Sequence, residues 1–439
     1  MSDEIREDET VTEEMIQSAV TDTAKTDKEQ KKKERRKFWL GFCFGVIGVL
    51  IATVLFTMAS YLYYKNKADY SEEVKVDTQK TSESVVNSTT TSKIKMIERL
   101  IKKNYYKDVD EETLADGIYR GMLDSLGDPY SEYYSAEDLK EVRESTEGIY
   151  YGIGAYVSLD NELKLAVISG IISGTPAEEA GLQEGDLIYK VDGQDVTGMT
   201  TSEVVTLIRG EEFTTVNLTL IRDGETVEYT VERRKVESPT VDYEMLEDNI
   251  GYIQITEFDD VTTDQFTEAM AVLKGQGMQA LILDLRSNGG GNLSTCIDIA
   301  NQLLPKGLIV YTEDKYGNRE EYNCDGKHEF DKPMVVLVNG YSASASEILT
   351  GAIKDHGIGT IMGTTTYGKG IVQQIMSLKD GTAVKMTISK YYTPKGNYIH
   401  DIGIEPDIEV EFDSEAYKED KTDNQLDAAK EQIKKMMKD

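Results

Sequence analysis

Cysteine, histidine and positive charge are all scarce in this chain. Three cysteines, Cys43, Cys296 and Cys324, do not make a disulfide framework, and none has a CxxC neighbour. Cys296 and Cys324 read as isolated thiols, with a bond between them as the alternative. The three histidines, His328, His356 and His400, lack metal-ligand spacing, which argues against a histidine-based metal site. No metal and no cofactor are expected. Lys and Arg number 48 against 80 Asp and Glu, a formal charge of −32. Without a basic face to release counterions, nucleic acid is excluded as a partner. The acidic balance fits a surface facing an ionic medium.

Residues 38–64 carry no charge at all. That is enough chain to cross ~30 Å of hydrocarbon as a helix, which takes ~20 residues. Aromatics stand at both ends, where amphipathic rings prefer the interface. Lys31-Lys32-Lys33-Glu34-Arg35-Arg36-Lys37 precedes it, so the positive-inside rule puts residues 1–37 in the cytoplasm and the rest outside. The expectation is a single-pass membrane protein with most of its chain extracytoplasmic. A cleaved signal peptide is the rival reading.

With 439 residues there is room for two or three domains. Residues 1–37 are polar and acidic and read as a disordered cytoplasmic tail. Residues 65–93 are rich in Ser, Thr, Lys and Glu and read as a flexible linker. Residues 94–147 have helical periodicity, with Ile94, Met96, Ile97, Leu100 and Ile101 on one face and Leu114, Ile118, Met122, Leu123 and Leu126 on another. Asp128-Pro129 stops a helix there, and Ser135 with Asp138 caps the next. That helical subdomain is expected to pack without doing chemistry.

Residues 148–236 form a compact β-rich module. Gly152-Ile153-Gly154 leads into an apolar strand, followed by Ala177, Ala180, Gly181-Leu182 and Gly185-Asp186, a helix over 201–208 and two strands around Asp223-Gly224. This ordered set resembles a PDZ domain of the bacterial protease type. The resemblance implies that Gly152, Ile153 and Gly154 are its carboxylate-binding loop, whose N–H groups form a nest for a peptide terminus. The groove beside them would take a peptide as an added strand.

Residues 237–412 alternate buried strands and helices, which argues an α/β core. Strands are expected at 250–255, 280–285, 309–311, 335–338, 383–391 and 408–411. A polar loop is expected from there to Pro333 after the third, and helices at 263–274, 293–304 and 344–354. Residues 413–439 read as a charged tail with a short helix over 426–437.

The chemistry is expected where the third of those helices begins. Ser342, Ser344 and Ser346 cluster at its start, and Ser344 with Glu347 has capping-box spacing, which by itself is a structural signal. A nucleophilic serine needs a base and an oxyanion hole. The helix N-terminus and the run Gly289-Gly290-Gly291 offer backbone N–H donors. His356, at the far end of the same helix, is about 18 Å away by helical rise. A lysine serves instead if a dry pocket lowers its pKa, and Lys369 lies between two glycines beside apolar Ile371 and Val372. If the chain is helical there, Gln373 shares a face with Lys369 and holds its amine.

Together, Ser342-Ala343-Ser344-Ala345-Ser346-Glu347, Tyr367-Gly368-Lys369-Gly370, Val372-Gln373-Gln374, Asp284-Leu285-Arg286 with Gly290-Gly291, Asp128-Pro129-Tyr130-Ser131 and Gly403-Ile404 with Pro406-Asp407 resemble the carboxyl-terminal processing peptidases. These are envelope serine proteases with an inserted PDZ domain. The resemblance implies a multidomain α/β protein: a crotonase-like ββα serine protease core, an inserted PDZ domain, an N-terminal helical subdomain and one transmembrane helix. It implies that Ser344 is the nucleophile, that Lys369, 25 positions on, is the general base, and that Gln373 supports it. Gly290 and Ala345 would supply the oxyanion hole, and Arg209 would couple PDZ movement to the protease core. Substrates would be polypeptides bound by their C-terminal regions, and a homodimer fits the family. The sequence departs from the pattern at Ser287-Asn288-Gly289-Gly290-Gly291, where Asn-Pro-Gly-Gly is usual, and at His400-Asp401. A catalytically inert, membrane-tethered PDZ recruiter and a different acyl hydrolase on the same core are the competing readings.

Overall fold

A computed structural model describes residues 84–438. The expected cytoplasmic tail, the membrane span at 38–64 and most of the linker lie outside the described residues. Among those described, no helix is long and apolar enough to cross a membrane. The chain divides into two compact units between Val109 and Asp110.

The first unit contributes helix α1 (Ser88–Asn104). It begins inside the stretch read as linker, because Asn87 caps it: the Asn87 side chain accepts the N–H groups of Thr89 and Thr90 at 3.0 and 3.2 Å. No α1 residue is buried, and Ile94, Ile97 and Leu100 are exposed.

The second unit opens with α2 (Glu111–Asp124), capped by Asp110. A short strand β1 (Glu132–Tyr134) and helix α3 (Ala136–Glu147) follow, α3 starting at the expected Ser135/Asp138 box. Residues 94–147 are therefore not wholly helical. Strand β2 (Ile149–Gly152) leads into a module of β3 (Ala155–Asp160), β4 (Leu165–Ile171), α4 (Pro176–Ala180), β5 (Leu187–Val191), β6 (Gln194–Asp195), α5 (Thr201–Ile208), β7 (Thr215–Arg222) and β8 (Glu225–Glu232). Its strands form an antiparallel sheet in the order β3-β4-β5-β7-β8, with β6 on β5. Alternate residues Val216, Leu218 and Leu220 point inward with Ile168 and Ile188 to make a separate core. Strand β9 (Arg234–Glu237) pairs antiparallel with β2, so chain entry and exit close as a two-stranded ribbon.

The rest runs β10 (Val241–Met245), β11 (Ile250–Ile255), α6 (Thr262–Gly275), β12 (Ala280–Asp284), α7 (Leu293–Ala300), β13 (Gly307–Asp314), β14 (Arg319–Cys324), β15 (Met334–Val338), α8 (Ala345–His356), β16 (Thr360–Gly363), β17 (Ile371–Ser377), β18 (Ala383–Tyr392), β19 (Ile408–Glu409), α9 (Ser414–Asp420) and α10 (Asn424–Met436). Six strands in the order β10-β11-β12-β15-β16-β19 make a sheet that is parallel except for β10. Strands β12 and β15 are buried at every residue, as continuous apolar runs require in a sheet covered on both faces. Helices α6, α7 and α8 pack on one face. On the other lies α10, through Ala429 and Ile433. The last segment is thus not a free charged tail: Leu426, Ala429 and Ile433 form a helical stripe that completes the core.

A second, antiparallel sheet runs β1-β18-β13-β14, with β17 also on β18. Two differences from the expected layout arise here. The polar loop before Pro333 contains β14, whose backbone pairs with β13 although its side chains are mostly exposed. Strand β1 joins the catalytic half through β18, in register Tyr133 to Val384. Cys296 and Cys324 are buried free thiols.

Candidate active site

Strand β15 ends at Val338, and a turn over Asn339–Tyr341 delivers the serine cluster to the start of α8. The three serines have different surroundings. Ser342 and Ser346 are fully buried. The Ser342 hydroxyl donates to Leu285 O at 2.7 Å, and the Ser346 hydroxyl to Asn288 O at 3.0 Å. Together they staple the start of α8 and the turn before it to the loop after β12. Ser344 alone is partly exposed and faces a cavity of about 500 Å³. Its backbone sits at φ 56°, ψ −113°, a conformation that a side-chain-bearing residue adopts at a cost of ~1–3 kcal/mol. Strain of this kind projects a nucleophile out of a sharp strand-to-helix turn.

Beside Ser344 runs the glycine loop. A Cβ on Gly290 would lie 2.7 Å from Ser344 Cβ and 3.0 Å from the Ala345 nitrogen. One on Gly291 would lie 2.4 Å from Phe258 O. Glycine is required at both positions, with φ of 104° and 140°. The expected donor at Gly290 is differently engaged here: its N–H donates to the Asn288 side chain at 2.8 Å. Asn288, fully buried, ties that turn to Ile255 O as well. Ala345, the first residue of α8, presents its N–H at the helix N-terminus beside the same cavity.

Lys369 lies in the loop between β16 and β17. Its neighbours must be glycine because Cβ atoms at Gly368 and Gly370 would meet the backbone of Gly403 and His400 at 2.9 and 2.7 Å. Lys369 lines the same cavity as Ser344. Among the described residues no hydrogen bond joins their side chains; Nζ instead lies 4.5 Å over the ring of Tyr130. Burial and then the nearby Lys385 hold the amine below its ordinary value, against the opposing pull of Asp128 and Glu347.

Glu347 is the centre of the arrangement. It is fully buried on the first turn of α8. One oxygen accepts Thr366 Oγ1 at 2.6 Å and the Gly368 N–H at 2.7 Å. The other accepts the N–H groups of Ser344 at 2.9 Å and Lys369 at 2.8 Å. One carboxylate therefore fixes the backbones of both candidate catalytic residues. Capping-box spacing signals its bond to Ser344; nothing local signals the other three.

Gln373 also lines the cavity, but not by the route expected. The segment is strand β17, not helix, because its backbone pairs with β18. The side chains of Lys369 and Gln373 are therefore not stacked on one helical face, and Gln373 Nε2 donates to Thr387 Oγ1 at 3.2 Å. His356 stands at the far end of α8, bonded to Leu308 O at 2.8 Å. Two cavity groups carry no sequence signal. Lys385 Nζ bonds Glu132 Oε1 and the Tyr134 hydroxyl at 2.8 and 2.9 Å. Asp259 is pushed up to about 7 by burial and by neighbouring Glu257.

A second cavity of about 320 Å³ lies between β3 and α5, lined by Ile153, Gly154, Val157, Val205 and Ile208. Gly154, at φ 83°, presses on Thr175, with a Cβ there only 2.3 Å from it. Ile153 is buried, and its carbonyl accepts the Ala177 N–H at 2.7 Å. Arg209 closes α5, sits over the Tyr150 ring at 4.7 Å and reaches Glu144 of α3 at 3.5 Å. Glu257 lines both cavities.

Family models match three stretches: peptidase family S41 over 249–410, a PDZ domain over 167–222, and the activating protease CtpB N-terminal domain over 49–138. The carboxy-terminal processing protease CtpA of Bacillus subtilis (strain 168) is 39% identical over 314 residues, 71% of this chain and 67% of that one. A probable CtpA-like serine protease of Staphylococcus aureus (strain COL) is 34% identical over 369 residues, 83% of this chain and 71% of that one. Among solved structures, a photosystem II D1 C-terminal processing protease is 32% identical, with a TM-score of 0.43, over 72% of this chain and 86% of that one. This chain belongs to peptidase family S41, as a serine-type carboxyl-terminal processing peptidase with a PDZ domain.

Proposed function

We propose that the protein is a membrane-anchored endopeptidase that cuts extracytoplasmic polypeptides by acyl-enzyme chemistry on Ser344, with Lys369 as general base, on a crotonase-like core. The observation that carries this reading is the shared carboxylate: Glu347 binds the backbone N–H of both residues, and both side chains open into one cavity. The neutral Lys369 amine takes the Ser344 proton as Oγ attacks the scissile carbonyl carbon. The oxyanion forms at the N-terminus of α8, where the Ala345 N–H and a glycine N–H of the 289–291 run are the donors. On collapse, the Lys369 ammonium returns the proton to the leaving amine. Water, deprotonated by Lys369, then hydrolyses the ester on Ser344. Gln373 steadies the lysine side of the cavity through Thr387.

Substrate C-terminal regions would enter the groove between β3 and α5 as an added strand, their carboxylate at Gly152-Ile153-Gly154 and an apolar side chain against Val205 and Ile208. Arg209 would report that binding to α3 through Glu144. The charge-free stretch at 38–64 would anchor the chain with its N-terminus in the cytoplasm. Exposed apolar residues on α1 (Ile94, Ile97) and on α2 (Ile118, Met122) favour a homodimer. The test is digestion of an unfolded protein by the full-length chain, by Ser344→Ala and by Lys369→Ala. Both variants should be inactive, and equal activity in all three sinks the dyad.

A further inference from the structure

Asp128-Pro129-Tyr130-Ser131 reads from sequence as a helix stop. In the structure it lies against Lys369. The Asp128 carboxylate fixes the turn by accepting the Tyr130 N–H at 3.0 Å and the Ser131 hydroxyl at 2.6 Å. Ser131 Oγ accepts the Thr387 N–H of β18 at 3.1 Å, and the Thr387 hydroxyl in turn accepts from Gln373. The turn is thus tied to β18, which pairs with the strand that follows the lysine. From that turn the Tyr130 ring faces Lys369 Nζ at 4.5 Å, inside the ~6 Å reach of a cation–π contact.

We propose that Tyr130 is the positioning residue for the base: its ring parks the Lys369 ammonium and sets the pH at which the free amine becomes available to Ser344. This deepens the Ser344–Lys369 reading and rests on it. The ring attracts only the protonated lysine. When Nζ loses its proton the attraction goes with it, and the neutral amine is free to turn to Ser344 Oγ. The charged groups around Nζ are Lys385 on β18, which opposes the ammonium, and Asp128 on the turn and Glu347 on α8, which favour it. Tyr130 joins the second set.

A half-buried cation–π contact is worth about 0.5–2 kcal/mol, or ~0.4–1.5 pH units at 1.36 kcal/mol per unit. Removing it disfavours the ammonium, so Lys369 titrates lower and the rising limb of kcat/KM moves to lower pH. The full-length chain is compared with Tyr130→Phe, Tyr130→Leu and pentafluorophenylalanine at 130, which keeps the ring's shape but inverts its quadrupole. The limb should stay in place for Phe and move down by ~0.4–1.5 units for Leu and for the fluorinated ring. A fall in kcat with movement of neither the limb nor the Lys369 titration in the fluorinated protein makes Tyr130 a packing residue and overturns the proposal. The Lys369 titration is read separately, in Ser344→Ala protein, from the pH dependence of acetic anhydride labelling followed by mass spectrometry. Labelling that shifts while the limb does not refutes the dyad and not the contact; labelling that does not shift refutes the contact.

Discussion

Replacing Glu347 by glutamine separates a capping residue from the keystone of a catalytic site. The carboxylate accepts four donors: the backbone N–H groups of Ser344, Gly368 and Lys369, and the Thr366 hydroxyl. Each oxygen takes two of them. An amide keeps one acceptor oxygen and turns an NH₂ toward the other pair, whichever way it is placed. Two charge-assisted bonds are lost, each worth about 1.5–3 kcal/mol net, so Glu347→Gln should destabilise the protein by ~3–6 kcal/mol. Loss of an N-cap partner alone would cost only ~1 kcal/mol. Urea unfolding followed by tryptophan-independent circular dichroism gives the stability. Steady-state cleavage of an unfolded protein gives the rate. Because the Ser344 and Lys369 backbones are released from a common anchor, kcat should fall by about a hundredfold or more, the effect of a misplacement near 1 Å. Ser135→Ala, at the N-cap of α3, supplies the control for an ordinary cap. A Glu347→Gln protein that loses no more stability than Ser135→Ala and cleaves at the wild-type rate refutes the keystone role.

Other perturbations have equally definite signs. Activity should rise with pH through a midpoint below the ordinary lysine range, since burial and Lys385 both disfavour the Lys369 ammonium. Lys385→Met removes the like charge and should move that midpoint to higher pH in a kcat/KM profile. Asp259, pushed up to about 7, contributes stability that is fully present below its unfolded value near 3.9 and lost as pH rises through about 7. Asp259→Asn should therefore flatten a decline in unfolding free energy of ~2 kcal/mol between pH 5 and 8. Arg286, between the buried Asp284 and the partly buried Asp423, ties the glycine loop to the start of α10. Asp423→Ala should cost ~2–4 kcal/mol in urea unfolding and lower kcat, because the guanidinium that precedes Ser287–Gly291 loses one of its two anions.

The α/β alternation and the PDZ-like module were legible because buried strands and turn residues announce themselves locally. Strands at 250–255 and a helix at 201–208 follow directly from apolar runs and caps. Segment 371–377 misleads for a physical reason. Ile371, Val372, Ile375 and Met376 are spaced as on a helix, yet β18 offers a full ladder of backbone partners, and tertiary pairing overrides local pattern. Strand β14 was hidden because its residues, Arg-Glu-Glu-Tyr-Asn-Cys, are mostly polar and solvent-facing. The charged look of the C-terminal segment concealed the stripe Leu426, Ala429 and Ile433. Ser344 and Lys369 could be singled out by motif. What joins them could not, since Thr366, Gly368 and Lys369 meet Glu347 only after β15, α8 and β16 have folded together.

The central claim is that Ser344 carries the acyl group and Lys369 the proton. The most direct test is acid quenching of the full-length protein during turnover of an unfolded substrate, with digestion and mass spectrometry of the enzyme. An ester adduct on the peptide containing Ser344 is expected in the wild-type protein and should be absent from Lys369→Ala. Undiminished cleavage by Ser344→Ala, or an adduct on any other residue, would contradict it.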